Sequence, residues 1–253
     1  MRRAGEQRRA PVGVRPRRLL RGPASLLVDD VRAFFRSLRR ARVREPASVW
    51  RTTAEEVTAL TDDSARGGDG AEGIAEFAFE LGVLKRMRRA GWWHVGVRDP
   101  ESVAEHSLRV SQLAGLIAAQ EGADPARAAF LALWHDSQET RTGDIPHTAR
   151  PYLGAGPSNE AITADQVARM PDPAARTVRE AVAEYEAQES AEARCAKDAD
   201  RLECLVQAVE YRSAGYQGVQ AWIDSSRRAL VTGTARRIAD AALDTSPLAW
   251  RDN

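Results

Sequence analysis

The chain of 253 residues has only two cysteines, only four histidines and no long apolar run. A membrane-crossing helix needs about 20 mostly apolar residues, and no stretch here approaches that. Cys195 and Cys204 lie nine residues apart and match no zinc or redox spacing. They are expected as reduced thiols of a cytoplasmic protein. Alternating β-branched segments are essentially absent, which argues against a sheet, and no internal repeat is visible.

Apolar residues make up 43% of the chain, enough for a real core. The net charge of +1 conceals a division, because residues 1–45 carry 14 arginines against four acids. That segment therefore holds +10 and the remaining 208 residues hold −9. Such a split suggests a basic arm joined to an acidic domain. The Arg-, Pro- and Gly-rich start is predicted to be disordered. An amphipathic helix is predicted at about 25–42, with Leu27, Val31, Phe34, Phe35 and Leu38 on one face. A basic helix of this kind can lie on nucleic acid or on an anionic membrane. It also fits a solvated or loosely docked helix, or sequence read from an upstream start. A transit peptide would suit the arginines but not Asp29 and Asp30.

"TDDSARGGDGAEG" at 61–73 reads as a linker. It divides an N-terminal extension, 1–72, from a domain at 73–232, followed by a C-terminal helix and tail at 233–253. Beyond the linker the pattern is helix after helix. Ile74, Phe77, Leu81, Leu84 and Met87 repeat at helical spacing, and "ESVAEHSLRVSQLAGLIAAQ" stays amphipathic to about residue 121. "DPARAAFLALWHDSQE" opens with Asp124 as N-cap and Pro125 at the first helical position. Further helices are expected at "SNEAITADQVARM", "DPAARTVREAVAEYEAQ" and "SAEARCAKDADRLECLVQAVEYRSAG". The last helical segment should break near Gly233. The fold class is all-α.

The stretch "LALWHDSQETRTGDIPH", 131–147, places His135 and Asp136 at the end of an apolar helical run, where a dry environment is expected. Glu139 follows at i+4 from His135 and i+3 from Asp136, over the same groove. The segment is either a helix end with an incidental polar turn or half of a metal site. His106, inside the second helix, reads by itself more readily as a hydrogen-bonded core residue than as a ligand. Lys197 and Asp200 in "CAKDADRLE" share a helix face, which also suits a surface ion pair.

In the order His106, His135-Asp136, Asp200, the chain resembles the HD-domain metal-dependent phosphohydrolases. The words "LKRMRRAGWWHVGVRDPESVAEHS", "LWHDSQETRTGDIPH" and "AEYEAQESAEARCAKDADRLECLVQAVEY" resemble the 5′-deoxynucleotidase branch, over about residues 74–230. The resemblance implies an HD-domain helical bundle with a metal site between helices. His106, His135, Asp136 and Asp200 would bind one divalent ion, of the Mn, Co, Fe, Ni or Zn class. Glu139 would position or deprotonate the attacking water, and Asp144 of "TGD" would assist near the leaving oxygen. Lys197 would meet phosphate oxygens, while Arg89 and Trp92 would line the nucleotide end, where deoxyribose is told from ribose.

The implied reaction hydrolyses 2′-deoxynucleoside 5′-monophosphates to deoxynucleoside and phosphate, and the implied assembly is a homodimer. A dNTP triphosphohydrolase on the same scaffold is the nearest alternative. A nucleic-acid- or membrane-binding module acting through the basic arm is the alternative of a different class. Three departures from the family pattern stand out: no proline precedes Arg89, "SQ" separates the His-Asp pair from Glu139, and Asp198 is a rival to Asp200. His147 could border the pocket mouth or face solvent, and His94 is assigned no chemistry.

Overall fold

The structure is a computed structural model that describes residues 70–154 and 156–252. The basic arm, the amphipathic segment at about 25–42 and residues 61–69 of the predicted linker lie outside the described residues. The described part holds nine α-helices. They are α1 (Ala71–Leu81), α2 (Val103–Glu121), α3 (Pro125–Trp134), α4 (Glu139–Thr142), α5 (Asn159–Gln166), α6 (Asp172–Ala187), α7 (Ala191–Ser213), α8 (Gln220–Ala229) and α9 (Gly233–Asp244). Among the described residues there is no strand, only an isolated bridge between Arg88 and Ser102. None of their helices is long and apolar enough to cross a membrane. The all-α expectation is met.

Helix starts follow local chemistry. Ser102 and Glu105 form a reciprocal capping box at α2, with Ser102 Oγ accepting from the Glu105 N–H at 3.2 Å. Asp124 caps α3 as predicted, accepting from the N–H groups of Ala126 and Arg127, with Pro125 at the first position. Thr232 caps α9, just before the break foreseen near Gly233. α1 already includes Ala71–Gly73, the last residues of the predicted linker. Gly73 is there for contact: a Cβ on it would stand 2.1 Å from the Arg169 carbonyl oxygen.

α7 is the central helix, flanked by α2, α3, α6, α8 and α9. Its buried face is rich in small residues, Ala193, Ala196, Ala199 and Ala208, interleaved with Leu202 and Leu205. Alanines let neighbouring helices approach closely, and each fully buried leucine contributes about 2 kcal/mol of apolar burial. α2 buries Val103, His106, Val110, Ala114 and Ile117 along one stripe. His106 thus occupies a core position and is wholly buried because its helix face is. α9 adds Ala235 and Ala239 to the same core. A second, smaller core of Phe77, Val167, Ala175 and Val178 docks α1, with Phe77 stacked on Trp134 at 6.0 Å.

Candidate active site

Three helices deliver four metal-type donors to one point. His106 comes from α2, Asp200 from α7, and His135 and Asp136 from the turn just after α3. His135 Nε2 lies 3.1 Å from Asp136 Oδ2 and 3.9 Å from Asp200 Oδ1. His106 Nε2 lies 3.4 Å from Asp200 Oδ1 and 3.7 Å from Asp136 Oδ2. The two imidazole rings are 5.3 Å apart. The ligand atoms of His106, His135 and Asp136 all fall within 4.8 Å of one another.

Each ring is held from behind. His106 Nδ1 faces Glu203 Oε2 at 2.5 Å, and His135 Nδ1 donates to the Ala132 carbonyl at 2.7 Å. Both Nε2 atoms are buried and, among the described residues, make no hydrogen bond. A buried polar atom without a partner is costly, and here two such atoms share one space with two carboxylates. Imidazole nitrogen with carboxylate oxygen is the donor set of a divalent transition metal, so these residues fit one.

Charge is concentrated at this point. Burial and Arg89 oppose a proton on His106, yet Glu203 and Asp200 outweigh them and push its pKa up to about 10. Burial would raise the Asp136 carboxyl, but His135, Arg89 and His106 hold it below the ordinary carboxylate range. Burial likewise opposes ionisation of Asp200, and His106, Lys197 and His135 hold it well below that range. The cluster is therefore a place for positive charge.

Glu139 reaches the same cleft by a route that the periodicity did not show. α3 stops at Trp134, and tight turns carry the chain onward, with the Ser137 N–H on the Trp134 carbonyl and the Glu139 N–H on the Asp136 carbonyl. Ser137 Oγ also donates to the Trp134 carbonyl at 2.8 Å, competing with helical continuation. The "SQ" pair is a docking device. Gln138 Nε2 donates to Thr163 Oγ1 at 2.7 Å, and Gln166 Nε2 donates to the Ser137 carbonyl at 3.0 Å, which ties the turn to α5. Glu139 Oε2 is buried and unpartnered. Burial, then Asp136 and Asp144, push its carboxyl up to about 9.

The remaining candidates line the cleft. Gly143 takes φ +77°, a backbone state that favours glycine, and the turn lets Asp144 Oδ2 accept from the Ala90 N–H at 2.5 Å. Arg89 lies 3.4 Å from Asp136 and 4.0 Å from Asp144. Lys197 Nζ lies 3.0 Å from Asp200 Oδ2 and 3.2 Å from the Tyr185 hydroxyl. Trp92 is 2% exposed, stacked on Trp222 at 5.6 Å, with its indole N–H donated to Glu101 at 3.1 Å.

The space in front of these groups has two chambers. A smaller one of about 240 Å³ is walled by Arg89, Trp92, Asp144, Asp200 and Trp222. A larger one of about 640 Å³ is walled by His135, Gln138, Leu153, Asn159 and Tyr185. They share Asp136, Glu139, Ile145, Arg150 and Lys197.

Residues 81–240 match the family model described as HD domain. The chain belongs to the HD domain family. The 5'-deoxynucleotidase HDDC2 of Bos taurus is 35% identical over 145 residues, which cover 57% of this chain and 70% of that relative. The 5'-deoxynucleotidase hdd1 of Schizosaccharomyces pombe is 29% identical, over 54% of this chain and 72% of that protein. Among solved structures, a conserved hypothetical protein from Pyrococcus furiosus superposes with a TM-score of 0.56 at 27% identity. That likeness covers 68% of this chain and 99% of the other.

Within this HD domain Asp198 and Asp200 meet different partners. Asp198 is fully buried and accepts from the N–H groups of Val231 and Thr232, at 2.9 and 2.6 Å, and from the Thr232 hydroxyl. It anchors the start of α9 and, among the described residues, makes no hydrogen bond or ion pair with His106, His135 or Asp136. His147 is exposed yet lines the smaller chamber, so both readings of it hold, while His94 lines neither chamber.

Sequence reasoning missed Glu203 and Arg109. Glu203 is buried, its Oε1 takes two N–H groups of Arg109 at 2.7 and 2.9 Å, and Arg109 also holds Glu210 and Gln207. The available signal was spacing: Glu203 is i+3 from Asp200, and Arg109 is i+3 from His106.

Proposed function

We infer that the protein is a metal-dependent 5′-deoxynucleotidase, releasing phosphate from 2′-deoxynucleoside 5′-monophosphates. The carrying observation is the pair of buried, unbonded Nε2 atoms of His106 and His135 facing Asp136 and Asp200 beside the unpartnered Glu139 oxygen. The relatives named 5'-deoxynucleotidase supply the substrate class.

In this reading His106, His135, Asp136 and Asp200 hold one divalent ion of the Mn, Co, Fe, Ni or Zn class. When bound, such an ion supplies Lewis-acid polarisation of the phosphoryl group and makes a water more acidic. The chain's own residues do the rest. Glu139 takes the proton of the attacking water as the water oxygen bonds to phosphorus and the bond from phosphorus to the 5′ oxygen breaks, and one proton passes to the 5′ oxygen, which leaves as a hydroxyl. With Asp136 neutralised as a ligand, a large cause of the upward push on Glu139 is removed, and its carboxylate forms more readily.

Asp144, fixed by the Ala90 N–H, stands at the leaving-oxygen side. Lys197 carries a compact positive charge to the phosphate. Arg89 and the Trp92–Trp222 stack border the smaller chamber, where the sugar is told from its 2′-hydroxylated counterpart. The free thiols of Cys195 and Cys204 fit the reducing cytoplasm, where we place the enzyme.

A phosphate-release screen of deoxy- and ribonucleoside monophosphates against several divalent metals tests the reading. Release from the deoxy series, lost in Glu139→Gln, is expected. Tripolyphosphate from a dNTP, without release from monophosphates, would replace it with the triphosphohydrolase reading.

A further inference from the structure

Resting on the phosphomonoesterase reading, the charge inventory of the cleft assigns a further substrate residue. A phosphate monoester brings close to two negative charges into a space already walled by Asp136, Glu139, Asp144 and Asp200. Lys197, expected to receive it, and Arg89 at the nucleotide end are both engaged within the protein. Arg89 faces Asp136 and Asp144, and Lys197 faces Asp200 and the Tyr185 hydroxyl. A cation already paired with an acid neutralises a second anion less effectively.

Arg150 is different. It stands on the short turn Arg150–Tyr152, in the segment between α4 and α5 that covers the cleft. It is exposed and lines both chambers, at the wall that they share with Glu139 and Lys197. Among the described residues its hydrogen bonds run through its backbone alone, its N–H on the His147 carbonyl and its carbonyl on the Leu153 N–H. Among the described residues its guanidinium meets no acid. A permanently charged, planar five-donor group, uncommitted and at the junction of two chambers, suits bidentate capture of a phosphoryl group.

We propose that Arg150 is the phosphate-binding arginine of this enzyme, contributing to substrate capture rather than to the chemical step. Arg150 is exposed and, among the described residues, its side chain makes no hydrogen bond or ion pair, so Arg150→Gln and Arg150→Lys should fold as the parent does. In the metal-loaded full chain, Arg150→Gln should raise KM for dAMP roughly tenfold, the scale of one hydrogen bond to a charged group, and leave kcat within about threefold. Arg150→Lys should recover part of the loss. Competitive inhibition by inorganic phosphate should weaken by the same factor, and inhibition by deoxyadenosine, which has no phosphate, should not change.

An unchanged KM together with unchanged phosphate inhibition overturns the assignment. So does a matching loss of deoxyadenosine inhibition, which would place Arg150 on the nucleoside. Calorimetric titration of inorganic phosphate into the metal-loaded parent and the Arg150→Gln variant decides the point without turnover. If the parent releases no phosphate from any monophosphate, the 5′-deoxynucleotidase reading fails, while the titration still tests Arg150.

Discussion

Glu203 Oε2 stands 2.5 Å from His106 Nδ1, and neither side chain reaches solvent. The carboxylate has two duties, because its other oxygen receives Arg109. It fixes which nitrogen of His106 faces Asp136 and Asp200, and its charge is balanced from the far side. A carboxylate behind a ligating imidazole sets ring orientation and basicity, and its loss usually costs metal affinity by 10–100-fold.

Glu203→Gln should therefore weaken divalent-metal binding by roughly that factor, read by competition with a chelating dye, while helix content stays near parental. Glu203→Ala should also lower stability by about 1–3 kcal/mol, since His106 Nδ1 loses its buried acceptor while Arg109 keeps Glu210 and Gln207. Equal metal affinity in parent and Glu203→Gln would show that the contact is structural only.

Asp198 and Asp200, two residues apart, should separate cleanly. Asp200→Asn should lose metal with little change in the thermal midpoint of the metal-free protein. Asp198→Ala should keep the metal site but lower stability by roughly 2–4 kcal/mol, because the Val231 and Thr232 N–H groups lose a buried acceptor. Denaturant unfolding and metal content, measured side by side, check both. The reverse pattern would make Asp198 the ligand.

That contrast shows where the sequence was legible. Most of the helices, the Asp124 cap, the break near Gly233 and the four ligand-type residues on three elements followed from apolar periodicity, local cap chemistry and the family pattern. Glu203, Arg109 and Asp198 did not, because a charged residue on a helix reads as surface until its neighbours are known. Their burial depends on α2, α7 and the start of α9 meeting, which is long-range information. The break between Trp134 and Glu139 was hidden for a similar reason. Ser137 and Gln138 look like helix surface, yet their partners are Thr163 and Gln166, more than 20 residues away. The Arg150 segment has no periodicity to read.

Glu80 links α1 to the Glu139 turn, accepting from Arg141, Gln166 and Thr140. Arg141 is the largest cause of a carboxyl lowered from 4.5 to about 2, with Gln166 and Thr140 adding to it against partial burial. A lowered carboxyl binds fewer protons in the folded state, so its contribution is complete above pH 4.5 and is lost as pH falls through about 2. Glu80→Gln should flatten the acid side of the stability-against-pH curve between those values. A curve displaced evenly at every pH would show that the Glu80 charge is not what matters.

Gly143→Ala isolates the backbone of the "TGD" turn. Among the described residues no atom beyond its chain neighbours lies within 4 Å of an added Cβ, so the cost is conformational: φ +77° with ψ 160° suits glycine alone. About 1–3 kcal/mol of strain is expected there. Relaxing it should move Asp144 off the Ala90 N–H and lower kcat at unchanged metal content. Unaltered kcat would remove Asp144 from the chemistry.

The most direct measurement is inorganic phosphate release from dAMP and from AMP by the metal-loaded full chain, with Glu139→Gln and Asp200→Asn beside it. Release from dAMP well above AMP is predicted, together with loss of kcat at retained metal content in Glu139→Gln and loss of both in Asp200→Asn. Phosphate release that is unaffected by either substitution would contradict the proposed site, and no release from any deoxynucleoside monophosphate would contradict the proposed activity.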